Sequence, residues 1–110
     1  MRERFSRVGF VVVPGLLGRD EVDRFGAAVD AAVAARTSGD ERTLAEKSNY
    51  EQSFQQCINL WEDRPDVRPL TFHPAVAAAA AELLGVAWVR LWHDQRLYKE
   101  PGGRRTDPHQ

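Results

Sequence analysis

Apolar residues recur at Val22, Phe25, Val29 and Val33, a three- and four-residue spacing that lays one stripe along a helix. Asp20 and Glu21 stand in its first turn, where carboxylates meet the positive end of the helix dipole. Thr37-Ser38-Gly39-Asp40 breaks the pattern, so the helix is predicted to follow Leu16-Leu17-Gly18 and run to about Arg36. Ahead of it, Val8-Gly9-Phe10-Val11-Val12-Val13 is β-branched and aromatic and ends at Pro14-Gly15. That run predicts a short strand, apolar enough to be covered on both faces. A second helix is predicted over residues 75–84. His73-Pro74 opens it, its alanines favour helix, and Gly85 is a natural left-handed stop.

The remaining segments read less regularly. Residues 40–49 are polar and predict a loop or a frayed helical turn. Residues 50–61 carry Phe54, Ile58 and Trp61 at helical spacing, yet Cys57, Ile58, Leu60 and Trp61 also suit an irregular strand, and an extended segment is expected. Asp63-Arg64-Pro65-Asp66 predicts a turn and a helix start. Residues 87–99 read as one long strand closed by Pro101-Gly102-Gly103. Alternation puts Val89, Leu91, His93, Gln95, Leu97 and Lys99 on one face, with Trp88, Arg90, Trp92, Asp94, Arg96 and Tyr98 on the other. Both faces begin apolar and end polar, unlike a plain sandwich strand, which keeps its polar groups on one side.

Composition narrows this picture. At 110 residues, 43% of them hydrophobic, the chain is one domain or part of one. A formal net charge of −1, with acids and bases interleaved, excludes the basic stripe that holds nucleic acid. The apolar run at residues 10–13 is too short for a signal-peptide core or a membrane span. Cys57 is the single cysteine, which rules out an internal disulfide and fits a reducing cytoplasm. It is expected to be a small buried hydrophobe. Heavy use of alanine and arginine suits a GC-rich bacterial source. Trp61, Trp88 and Trp92 are expected to pack in a core, and His93 to be a satisfied core histidine.

The order of these signals carries a resemblance. A Gly-Phe-Val-Val-Val-Pro-Gly segment precedes an amphipathic helix; Asn59-Leu60-Trp61 and a helix closing Leu83-Leu84-Gly85 follow; then come Asp94-Gln95, Lys99-x-Pro101 and a terminal His109-Gln110. Over essentially its whole length the chain resembles the N-terminal part of the phytanoyl-CoA dioxygenase family of iron(II)/2-oxoglutarate oxygenases. The resemblance implies an α+β chain, the N-terminal part of a double-stranded β-helix (jelly-roll, cupin-like) with two main helices packed on an incomplete sheet. It implies His109 as the first iron ligand, with the following Asp, the distal His, the Arg that clamps 2-oxoglutarate and most barrel strands lying beyond residue 110. Residues 1–110 are then the first portion of a single domain.

Lys99 matches the family's cosubstrate lysine and Gln95 a position lining the same pocket. The strand alternation agrees independently, since it puts both on one face, and an ammonium beside an amide suits a dicarboxylate. The implied activity is hydroxylation of a small organic substrate with Fe(II), dioxygen and 2-oxoglutarate, a facial two-histidine, one-carboxylate site leaving three metal positions open. The isolated 110 residues are expected to be inactive and to self-associate through exposed strand edges. The alternative is a non-catalytic small α+β binding or structural protein, or an incomplete gene product. On that view Lys99 is a solvated strand-end lysine, Gln95 a strand-bonding amide and His109 a solvated terminal imidazole.

Overall fold

The computed structural model describes residues 1–107. In chain order it contains α1 (Arg2–Val8), α2 (Arg19–Thr37), α3 (Asn49–Ser53), β1 (Gln55–Ile58), α4 (Arg68–Thr71), α5 (Pro74–Leu84) and β2 (Gln95–Tyr98). Short 3-10 turns lie at Leu44–Glu46 and Leu60–Glu62. Among the described residues the fold is α+β, with one two-stranded antiparallel sheet.

The amphipathic helix forms where the periodicity places it. Phe25, Val29, Ala32 and Val33 of α2 are buried, whereas Val22 is exposed, so the stripe begins one turn later than the spacing predicts. Val29, Ala32 and Val33 pack on Cys57 of β1 and on Leu60 and Val67, the last two fully buried. Cys57 is therefore the small core hydrophobe expected of it. Tyr98 of β2 reaches back to α2 by donating its hydroxyl to Asp30 Oδ1. That acceptor raises the phenol above its ordinary range, because ionising Tyr98 would set two anions side by side.

Helix α5 begins and ends as its sequence predicts. His73 Nδ1 accepts from the Ala75 amide, which leaves the proton on Nε2 to bond Glu21 Oε1 at 3.2 Å. Gly85 closes the helix with φ +69°. Glu21 thus serves two helices, since its other oxygen accepts from the Gly18 amide at the start of α2. That amide, and then His73, hold its carboxyl below the usual range. The main partner of α5 is α1, while α2 covers the sheet.

The strand predicted at residues 8–13 does not form. Val8 ends α1, Gly9 turns left-handed at φ +81°, and residues 10–13 are irregular with Phe10 and Val12 exposed. A β-prone run without a neighbouring strand has nothing to pair with. Within residues 50–61 only Gln55–Ile58 is strand; α3 and a 3-10 turn flank it. The long strand predicted at residues 87–99 is reduced to Gln95–Tyr98. Its register pairs Gln55 with Tyr98, Gln56 with Leu97, Cys57 with Arg96 and Ile58 with Gln95.

One junction explains the shortening. Asn59 adopts a left-handed backbone, φ 51°. It donates its amide to the Asp94 carbonyl and accepts the Asp94 amide on Oδ1, both at 3.1 Å. The chain then leaves the sheet into the 3-10 turn, so residues 86–92 have no partner strand among the described residues. Trp92 is 90% exposed, and Trp88, Val86 and Leu91 are also exposed. Trp88 and Trp92 are therefore not the core residues predicted. Trp61 does pack, edge-to-face on Phe72 at 5.0 Å, with the Arg68 guanidinium over both rings. The radius of gyration is 16.5 Å, against about 13 Å for a compact domain of this length, which fits an α1–α5 arm and an uncovered segment.

The polar loop at residues 40–49 is stapled. Arg42 bonds Asp40 and Glu51 at 2.8 and 2.7 Å, and Ser48 caps α3 reciprocally with Glu51. The Arg42 guanidinium holds both carboxyls at about 2.

Replacing Asn59 separates its two roles. Asn59→Ala loses the Oδ1 acceptor and strains the left-handed backbone, an expected loss of about 2 kcal/mol in urea unfolding. Asn59→Gly keeps the conformation and is expected to lose about half that. The two carboxyls bound by Arg42 stabilise the loop above their unfolded pKa, near 4. That contribution is expected to vanish as pH falls from about 4.5 towards 2, seen as loss of amide-exchange protection over residues 43–51. Arg42→Gln is expected to flatten the change in that window.

Candidate functional site

The sheet has an inner face against α2 and an outer face away from it, and antiparallel register decides which side chains go where. Cys57, Asp94, Arg96 and Tyr98 point inward. Asp94 is only 9% exposed, accepts from the Thr71 hydroxyl and lies 3.6 Å from Arg96. Its Oδ1 is buried with no hydrogen-bond partner among the described residues. Parity then sends Gln95, Leu97 and Lys99 outward, as the sequence alternation predicts.

These three residues form one surface of a cavity of about 1010 Å³. Asn49, Tyr50, Ser53 and Phe54, from α3 and the residue after it, make one wall, and residues 104–107 make the other. Gln95 and Lys99 are thus brought to a common site, flanking Leu97. The Lys99 ammonium donates to the Arg104 carbonyl at 3.1 Å and the Thr106 hydroxyl at 2.6 Å, and sits 5.9 Å from the Phe54 ring centre. Gln95 Nε2 lies 3.1 Å from His93 Nε2. His93 is exposed on the outer face rather than satisfied in a core, because β1 ends before reaching it.

Tight local packing holds the walls in place. Gly102 turns the chain with φ +77°, and a side chain on Gly103 would meet the Gln52 carbonyl at 2.7 Å. This close approach lets the Arg104 amide bond the Gln52 carbonyl at 2.8 Å. Gln52 Nε2 in turn donates to the Lys47 carbonyl. Lys47, its side chain 8% exposed, pairs with Glu100 at 2.9 Å. The Gly-Gly dipeptide thus does more than close a strand: it admits the 104–107 wall to within bonding distance of α3. Sequence reasoning missed Asn49, Tyr50, Phe54 and Arg104 as site residues. The one available signal was the four-residue spacing of Tyr50 and Phe54, which the extended reading of this segment set aside.

The cavity presents a cation that an anion can meet. The bonds that Lys99 makes here go to neutral oxygens, so its charge is oriented but not neutralised by them, and an oxygen-rich acid can replace those acceptors. A metal is a separate matter. Among the described residues no group of three or more His, Cys, Asp or Glu side chains is placed to hold one. His109, the expected iron ligand, lies outside the described residues. Among the described residues no helix is long and apolar enough to cross a membrane.

Comparison with known proteins bears on the same residues. The family model for phytanoyl-CoA dioxygenase matches residues 5–110, nearly the whole chain and all of this cavity. No curated protein and no solved structure matches it at a significant level. With a match of that extent, the chain belongs to the phytanoyl-CoA dioxygenase family.

Proposed function

We propose that this chain carries the cosubstrate-facing part of an iron(II)/2-oxoglutarate-dependent dioxygenase that hydroxylates a small organic substrate. The observation that supports it most is the Lys99 ammonium, held in a large cavity by neutral oxygens on the face it shares with Gln95. On this reading Lys99 binds a 2-oxoglutarate carboxylate as a point charge, and the Gln95 amide donates to a neighbouring oxygen. When bound, iron would activate dioxygen, the oxidant, with two of its four electrons drawn from 2-oxoglutarate as that acid is decarboxylated to succinate and the other two from the substrate that is hydroxylated. The protein's part is to orient the cosubstrate.

The same reading makes His109 one iron ligand. The other ligands, the arginine clamp and the remaining strands of a double-stranded β-helix are assigned to sequence outside these 110 residues, which form the first portion of a single domain. The isolated chain then binds cosubstrate without turning over. The free, buried Cys57 supports a reducing, cytoplasmic setting.

Calorimetric titration of the 110-residue chain with 2-oxoglutarate tests the lysine. Lys99→Met is expected to weaken binding about tenfold or more, the loss of one charge-assisted bond, with Lys99→Arg intermediate. Equal affinity in all three proteins rejects the assignment. The metal is tested in the chain continued to the stop codon of its own gene. There His109→Ala is expected to remove bound iron and 2-oxoglutarate-dependent oxygen uptake together. Full iron loading of that variant assigns the ligand elsewhere.

A further inference from the structure

The cavity is larger than a five-carbon diacid requires, and its lining is divided. At about 1010 Å³ it matches sites that enclose a drug-sized molecule. Among the described residues Lys99, Arg104 and Arg105 line it with a single carboxylate, Asp107, so the balance of those charges is cationic. Tyr50 and Phe54 face it from the other wall, their rings edge-to-face at 4.8 Å.

The two arginines differ in how they are held. Arg105 lies 3.7 Å from Asp107 with both side chains almost fully exposed, so it is not fixed in place. Arg104 is fixed at both ends. Its amide is bonded to the Gln52 carbonyl at 2.8 Å, and its Nη1 donates to Asn49 Oδ1 at 3.2 Å. That bond uses one of five N–H donors and a neutral acceptor, so the guanidinium keeps both charge and a donor edge. A cation already held in position loses less entropy on binding an anion than a free one does.

We propose that Arg104 recognises the substrate itself, and that the substrate is an anionic molecule, a carboxylate or phosphate, whose apolar body lies on Tyr50 and Phe54. This deepens the oxygenase reading by naming the substrate class of the same cavity, with Lys99 reserved for the cosubstrate. Tyr50 is tethered beside Phe54, since its hydroxyl donates to Gln56 Oε1 at 2.9 Å. The guanidinium fork suits either kind of anion.

The test uses the full 110-residue chain, followed by NMR and calorimetry, with phenylacetate, phenyl phosphate, acetate and 2-oxoglutarate as probes. At least one aromatic anion is expected to bind saturably, and several-fold more tightly than acetate. Arg104→Gln is expected to weaken that binding about tenfold or more while leaving 2-oxoglutarate within twofold. Lys99→Met is expected to do the reverse. The tighter of the two aromatic anions names the head group. Failure of both to bind a folded chain that still takes 2-oxoglutarate overturns this inference and leaves the cosubstrate reading standing. So does equal weakening of both ligands by Arg104→Gln, which means one shared anion site. Acetate binding as tightly as the aromatic anions overturns the apolar shelf. An unsubstituted chain that takes the aromatic anions but not 2-oxoglutarate overturns the cosubstrate role of Lys99 and leaves this inference standing.

Discussion

The reciprocal bond between Asn59 and Asp94 is the constraint on which the site depends. A strand slipped by one residue exchanges its two faces completely. In this chain the exchange would turn Gln95 and Lys99 towards α2 and aim Asp94, Arg96 and Tyr98 at the cavity. The Asn59–Asp94 pair lies next in register after Ile58 and Gln95, and it is bonded in both directions. The left-handed backbone of Asn59 then carries the chain out of the sheet, so pairing cannot run on. The Thr71–Asp94 bond and the Tyr98–Asp30 bond secure the same parity from the inner side. An outer face that presents Gln95 and Lys99 to the cavity follows from this register.

The other half of the site is assembled by loops that carry little apolar surface, and polar contacts hold them. Arg42 gathers Asp40 and Glu51, Ser48 caps α3, and the shielded Lys47–Glu100 pair joins this unit to the end of β2. With Lys47 shielded and Glu100 partly exposed, the pair is weak evidence for net stability. Its use here is positional, since it sets the distance between α3 and the strand that form two sides of the cavity. Gly103 completes the arrangement by allowing two backbones to meet where any side chain would collide.

Apolar burial is concentrated elsewhere. Helix α2, Cys57, Leu60 and Val67 make the core beneath the sheet, while α1 and α5 form an arm tied to α2 through His73 and Glu21. Residues 86–92 remain uncovered, with two tryptophans in solvent. The rigid part of the molecule is therefore the part that fixes the outer face of β2, and the site stands on that base.

The sequence by itself determined what depends on neighbours within a few positions. The period of α2, the Pro74 opening and Gly85 ending of α5, the burial of Cys57, and the alternation that separates Gln95 and Lys99 from Asp94 and Arg96 are local, and all are read correctly from residue order. The family was legible in the same way, as an ordered set of short signals across the chain. What failed needed a partner from far along the chain. Among the described residues, the Val-rich run at residues 10–13 has strand propensity but no strand beside it, and residues 87–93 alternate well yet join no ladder, because Asn59 ends β1 at its bond to Asp94. Only the tertiary structure decided which residues would join Lys99 in a cavity. Tyr50, Phe54 and Arg104 are brought there by the close contact of Gly103 with Gln52 and by a lysine–glutamate pair 53 residues apart in sequence, and no local pattern encodes contacts at that separation.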